Sequence, residues 1–229
     1  MEASDNPVGE SDSRLQDHVD WGYLLREYYE LYRFLPAGGS SKIRSHQRAV
    51  REAINKVQRS NPPMFFARPE TKPVVAHLAR ALDEGLGERY SAFIRAIRTV
   101  SGGLSWQYGY DRMPRGLAEK YAYAEIAGPM GPVVTDRIIL GLVLFAPGTT
   151  YPAHSHAGIS ESYVCLSGSV SENDHGVFAP GSLIFNPPDH SHRITVSALE
   201  PALLVYSWQG PRENLAGQKM KFSRARPNG

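Results

Sequence analysis

Gly148-Thr149-Thr150-Tyr151-Pro152-Ala153-His154-Ser155-His156-Ala157-Gly158-Ile159-Ser160-Glu161-Ser162-Tyr163-Val164-Cys165-Leu166-Ser167-Gly168 is the stretch that decides the fold. Two histidines stand one residue apart, a carboxylate follows five residues later, and a glycine closes each end. Residues i and i+2 of a strand project to the same face. His154 and His156 can therefore aim at one ion from one strand, and Glu161 joins them from the start of the next, after the turn Ala157–Ser160. A further histidine is supplied downstream by Gly181, five residues, then Pro187-Pro188-Asp189-His190-Ser191-His192. Imidazole and carboxylate together suit a divalent transition metal ion: Zn, Fe(II), Mn, Co or Ni.

These two segments resemble the paired signature motifs of the cupin superfamily. The first fits at every fixed position: glycine, five residues, His-X-His, four residues, glutamate, six residues, glycine. The second fits at Gly181, Pro187 and His192. It departs at Asp189, where glycine is usual, and at Val196, where asparagine is common. In that register the resemblance implies His154, His156, Glu161 and His192 as metal ligands. His190 shares the facing of His192 and is its rival.

Outward from the motif, the chain divides by texture. At 229 residues with 41% hydrophobic and 21% charged side chains, it suits an ordinary globular protein of one or two small domains. A net charge of +2 and the lack of a clear recognition helix argue against nucleic acid as a partner. No stretch is apolar enough for a signal peptide or a membrane span, so a cytoplasmic protein without a membrane partner is expected. The single cysteine, Cys165, excludes an internal disulfide and reads as a buried, inert thiol.

Residues 1–17 are acidic and polar and predict a disordered lead. Residues 18–101 predict a helical region of four helices: Trp21–Leu35 with Asp20 as its cap, Ser40 or Ser41 to about Arg59, Pro73–Glu84 and Gly87–Val100. The first has an aromatic-rich face of Trp21, Leu24, Leu25, Tyr28, Leu31, Tyr32 and Leu35. Residues 102–211 change to short Val-, Ile-, Leu-, Tyr- and Phe-rich runs broken by Gly, Pro, Asn and Asp. They predict an antiparallel β-barrel of jelly-roll type. Residues 212–229 predict a loosely packed basic tail. The fold class is thus mainly β with α, and two copies pairing as a homodimer through sheet edges are compatible with it.

Tyrosines give the site its second half. Tyr163 follows Glu161 by two residues and shares its inward facing. Tyr151 precedes His154 by three. A phenol near a cation has its anion favoured and enters the range of a general base. The Tyr-Pro-Ala-His-Ser-His-Ala-Gly-Ile-Ser-Glu-Ser-Tyr run, the helical N-terminal region and the single C-terminal cupin are together similar to the cupin-type dimethylsulfoniopropionate (DMSP) lyases of the DddL branch. The resemblance implies β-elimination of a small sulfonium carboxylate to dimethyl sulfide and acrylate, the substrate carboxylate on the metal and a tyrosinate taking the α-proton. It names both Tyr163 and Tyr151 as base candidates and does not choose between them.

A sulfonium has no hydrogen to donate and is held by aromatic faces. Tyr121 and Tyr123 share one strand face, as do Tyr206 and Trp208, and these four are the expected substrate-binding aromatics. Two other readings stay open: a cupin metal dioxygenase acting on a small organic acid, and a non-catalytic metal-binding cupin. A sugar-phosphate isomerase is disfavoured, because Arg193 is the sole Lys or Arg between residues 138 and 208.

Overall fold

The computed structural model describes residues 13–87, 90–110, 113–173, 175–217 and 221–222. Helices α1 (Val19–Phe34), α2 (Ser41–Ser60), α3 (Leu78–Leu86) and α4 (Ser91–Val100) precede the short α5 (Arg115–Ala118). Strands follow: β1 (Tyr121–Gly128), β2 (Val133–Val134), β3 (Ile139–Phe145), β4 (Thr150–Ser155), β5 (Ser160–Ser167), β6 (Val170–Glu172), β7 (His175–Phe178), β8 (Leu183–Asn186), β9 (His192–Val196) and β10 (Ala202–Gln209). Helix α6 (Arg212–Ala216) and strand β11 (Lys221–Phe222) close the order.

The strands form two sheets, ordered β2-β1-β3-β10-β5-β8 and β11-β4-β9-β6-β7. All pairings are antiparallel except β1 with β2. This is the expected jelly-roll barrel. The barrel interior is packed by Tyr121, Val143, Phe145, Tyr151, Tyr163, Cys165, Ile184, Ile194, Leu204, Tyr206 and Trp208. Burial pushes the Cys165 thiol up to about 12, so it is inert as expected.

The larger sheet is apolar on both faces. Its outward residues Ala122, Ala124, Leu140, Leu142, Leu144, Val164, Leu166, Leu203 and Val205 join Leu24, Leu25, Tyr28, Ile54, Phe93 and Ile97 of the helices in a second core. The helices therefore cover the back of that sheet. Period-2 alternation fails to announce such strands, because both faces must be apolar. No described helix is long and apolar enough to cross a membrane.

Several expectations shift. Helix α1 starts at Val19 with His18 before it, and Asp20 lies inside its first turn. Ser40 does cap α2, its hydroxyl accepting from the Ile43 amide at 3.3 Å. The third helix opens as a 3-10 segment over Pro73–His77, with the proline in its first turn. The fourth begins at Ser91 rather than Gly87. Of the lead expected over 1–17, residues 13–17 are part of the fold: Leu15 is buried and its amide donates to Pro62 O at 3.0 Å. Residues 1–12 lie outside the described residues. Of the tail expected over 212–229, residues Arg212–Ala216 form α6, with Leu215 buried, and Lys221–Phe222 form β11, which pairs with β4; residues 218–220 and 223–229 lie outside the described residues.

Candidate metal centre

Strand β4 carries His154, and His156 stands just past its end. The chain then reverses through Gly158, whose φ of +65° favours glycine, and delivers Glu161 as the second residue of β5. His192 opens β9 and pairs with His154 across the ladder. One ligand atom from each of His154, His156, Glu161 and His192 lies within 4.8 Å of the others, and all four residues are buried. His190 is exposed and stands outside the group. Its carbonyl instead accepts from His192 Nδ1 at 3.2 Å. Asp189, where glycine was expected, has φ of +63°, the left-handed conformation that explains the usual glycine and that aspartate tolerates. Its amide donates to His156 O at 3.1 Å and ties the second motif to the first.

Tautomers are set by backbone carbonyls. His154 Nδ1 donates to Pro152 O at 2.9 Å, as His192 Nδ1 does to His190 O. Both rings therefore present Nε2 as a lone pair. The Nε2 atoms of His154, His156 and His192 are buried and make no hydrogen bond. His192 Nε2 lies 2.9 Å and His156 Nε2 3.5 Å from the two Glu161 oxygens. Three orphaned nitrogens and a carboxylate converging on one point is a donor set that a divalent cation fits. Burial pushes His154 down to about 3, which keeps it unprotonated. Burial opposes the Glu161 charge, but the His156 and His192 rings in their protonated form outweigh it and hold the carboxyl well below its usual range, a cationic role that a bound metal ion would take over.

Two further side chains hold Glu161, and the sequence did not flag this task for either. Trp208 Nε1 donates to Glu161 Oε1 at 2.6 Å. Asn186 Nδ2 lies 3.5 Å from Glu161 Oε2 and donates to Glu172 Oε1 at 2.8 Å.

A cavity opens beside this centre, lined by Tyr121, Tyr123, Val143, Tyr151, Tyr163, Tyr206 and Trp208. All four expected substrate aromatics and both candidate bases face it. Trp106 packs in the helix-facing core, and Phe185 lies against His46 on the outside of the barrel. Tyr151 is three residues from His154, and simple alternation would turn it outward. A register shift between Tyr151 and His154 in the β4–β9 ladder turns it in, where it is 2% exposed. Its hydroxyl donates to Tyr121 Oη at 3.1 Å. Tyr163 stands beside Glu161. Burial, then the Glu161 charge, pushes its phenol well above the usual range, and burial does the same to Tyr151. The lowered phenol pKa expected from sequence thus has no source among the protein groups; only a cation could supply it.

Two sheets closed into a barrel, with His-X-His at the end of β4, Glu on the next strand in the facing sheet and a third histidine on β9 beside β4, define a cupin. The chain belongs to the DMSP lyase family, a family of carbon–sulfur lyases: that family's model matches residues 45–204. It is 51% identical to DddL of Cereibacter sphaeroides over 213 residues, covering 93% of this chain and 92% of the relative. Its fold resembles the crystal structure of the DMSP lyase DddQ from Ruegeria pomeroyi DSS-3, with TM-score 0.68 and 19% identity over 92% of this chain and all of that one. A chain from the crystal structures of the DMSP lyases RdDddP and RnDddQII matches with TM-score 0.66 and 20% identity, covering 90% and 98%.

Proposed function

We propose that the protein is a metal-dependent lyase that cleaves DMSP by β-elimination to dimethyl sulfide and acrylate. His154, His156, Glu161 and His192 are the ligands and Tyr163 is the general base. The observation that carries this reading is the meeting of three unpaired imidazole nitrogens and one carboxylate beside a cavity lined by five tyrosines, Trp208 and Val143. A bound divalent ion supplies a Lewis acid for the substrate carboxylate and a positive potential that brings a neighbouring phenol toward its anion.

The protein groups divide the remaining work. Tyr163, as phenolate, accepts the proton from the carbon α to the substrate carboxylate. The C–H electron pair becomes the new C=C bond, and the C–S pair leaves with sulfur as neutral dimethyl sulfide. Tyr163 then holds the proton until it exchanges with solvent. Tyr163 is favoured over Tyr151 because it follows the ligand Glu161 by two residues on β5, where a bound ion would bring its phenol toward the anion, whereas the Tyr151 hydroxyl donates to Tyr121. The Tyr151–Tyr121 hydroxyl pair serves better as a positioning wall. Tyr123, Tyr206 and Trp208 form a connected aromatic surface, with ring centroids 6.4 Å and 5.3 Å apart, suited to a sulfonium. No Lys or Arg lines the cavity to repel that cation.

The test is headspace detection of dimethyl sulfide after mixing the metal-loaded protein with DMSP, with a chelated control and a Tyr163→Phe variant. Metal-dependent release, lost by several orders of magnitude in Tyr163→Phe while metal stays bound, is expected. No release with any of Zn, Fe(II), Mn, Co or Ni would overturn the lyase reading. Near-normal turnover by Tyr163→Phe would move the base to Tyr151.

A further inference from the structure

Behind Glu161, on the outside of the barrel, lies a buried polar cluster in an otherwise apolar interface. Ser162 and Ser207 are cross-strand partners on β5 and β10, and both face the helices. Their hydroxyls are 3.0 Å apart. Tyr32 Oη of α1 reaches both, at 2.8 Å to Ser162 and 3.1 Å to Ser207. His46 Nε2 of α2 lies 2.8 Å from Ser162 Oγ, its ring packed on Phe185 of β8. All four residues are buried, and Ser162 and Ser207 are 0% exposed. Donors and acceptors balance. With Tyr32 donating to Ser207, Ser207 to Ser162, Ser162 back to Tyr32 and a His46 Nε2–H into Ser162, every one of these groups is satisfied. A fully satisfied buried network of this kind rigidifies what it joins, and a partly satisfied one is costly.

Its place in the ladder is what gives it a task. The Ser162–Ser207 pair lies between two inward-facing pairs of the same strands: Glu161 with Trp208, and Tyr163 with Tyr206. The first holds the carboxylate and the indole that anchors it; the second holds the candidate base and a cavity wall. We infer that His46, Tyr32, Ser162 and Ser207 form a clamp that sets, from behind the sheet, the separation and aim of Glu161 and Tyr163. These are positioning residues, since none touches the cavity. The inference deepens the proposed lyase site and depends on that reading only for its kinetic arm.

Tyr32→Phe and His46→Leu test the clamp, with His46→Gln as the conservative rescue. Tyr28→Phe is the matched control. Tyr28 lies one turn earlier on α1 and is equally buried, but its hydroxyl donates to Gly141 O at 2.8 Å on β3, which carries no candidate ligand. The readouts on the full chain are the visible spectrum and affinity of bound Co(II), thermal midpoint, and kcat and KM on DMSP. Tyr32→Phe and His46→Leu should alter the Co(II) bands, weaken Co(II) binding about tenfold and lower kcat with little change in KM. His46→Gln should recover most of this. Tyr28→Phe should lower the midpoint and leave the Co(II) spectrum unchanged. Unchanged spectrum and affinity in Tyr32→Phe and His46→Leu would overturn the clamp, as would an equal disturbance by Tyr28→Phe. Should Tyr32→Phe not fold, Ser207→Ala carries the same expectation and the same refutation. A normal Co(II) response with no sulfide release from wild type would sink the lyase reading and leave the clamp standing.

Discussion

Replacing Trp208 by phenylalanine isolates one contact at the centre. The indole Nε1 donates to Glu161 Oε1 at 2.6 Å with both groups buried. Phenylalanine keeps an aromatic ring beside His156, whose centroid lies 4.4 Å from the indole, and deletes the donor. A hydrogen bond to a charged group contributes about 1.5–3 kcal/mol, more than a neutral one. At about 1.36 kcal/mol per factor of ten, that is a loss of roughly 10- to 150-fold if all of it falls on metal binding. Among the other groups near Glu161, Asn186 Nδ2 lies at 3.5 Å, the outer limit of a hydrogen bond, and compensates little. The assay is competition between the metal-free protein and a chromophoric chelator for Zn(II) or Co(II) near neutral pH. Trp208→Phe should bind metal about 10- to 100-fold more weakly, and Asn186→Ala should lose less. An unchanged affinity in Trp208→Phe, with turnover alone reduced, would refute the anchoring role and leave the indole only as a wall of the cavity.

Other outcomes follow from the same coordinates. His192→Ala should lose metal and turnover while His190→Ala keeps both, read by metal content after desalting; the reverse result would overturn the choice of register. Burial pushes His46 down to about 4, so between that value and its unfolded value of about 6.5 the unfolded chain binds more protons and stability rises with pH. Chemical denaturation of the metal-free protein should therefore show a loss of about 2 kcal/mol from His46 between about pH 7 and pH 5, and His46→Gln should remove that share of the slope. An alanine Cβ at Gly141 would sit 2.5 Å from Ala124 O and 2.5 Å from Tyr206 Oη, so Gly141→Ala should destabilise by about 1–3 kcal/mol and raise KM by displacing a cavity wall.

Much of the centre was legible because it obeys alternation. His154, His156, Glu161 and Tyr163 are placed by the period of two and one tight reversal, and the structure puts them where that rule says. The main strands were legible too, because each is a short apolar run between turn residues. Strands β6 and β7 were not, since Ser171, Glu172, His175 and Gly176 are polar or small and resemble a loop. The covering of the larger sheet by helices was also hidden. It rests on outward residues such as Ala122 and Ala124 sharing one core with the helices, which is a property of packing across a long stretch of chain. The clamp joins residues 116 and 130 positions apart, and no local pattern in the chain points across that distance.

Tyr151 shows where the period-two rule gives out and why that matters for the chemistry. By spacing alone it belongs outside the barrel; the register shift in β4 turns it in and seats it against Tyr121 and His154, with ring centroids 4.4 Å and 4.7 Å away. An unbroken ladder would offer the centre its ligands and only one phenol on that side. The irregularity adds a second phenol without adding a charge, so the cavity keeps Glu161 as the one carboxylate among its aromatic walls and candidate ligands. That balance suits a substrate with a carboxylate at one end and a cation at the other. In the proposed function its anionic end would go to an ion held by the ligand set and its cationic end to the ring faces of the cavity.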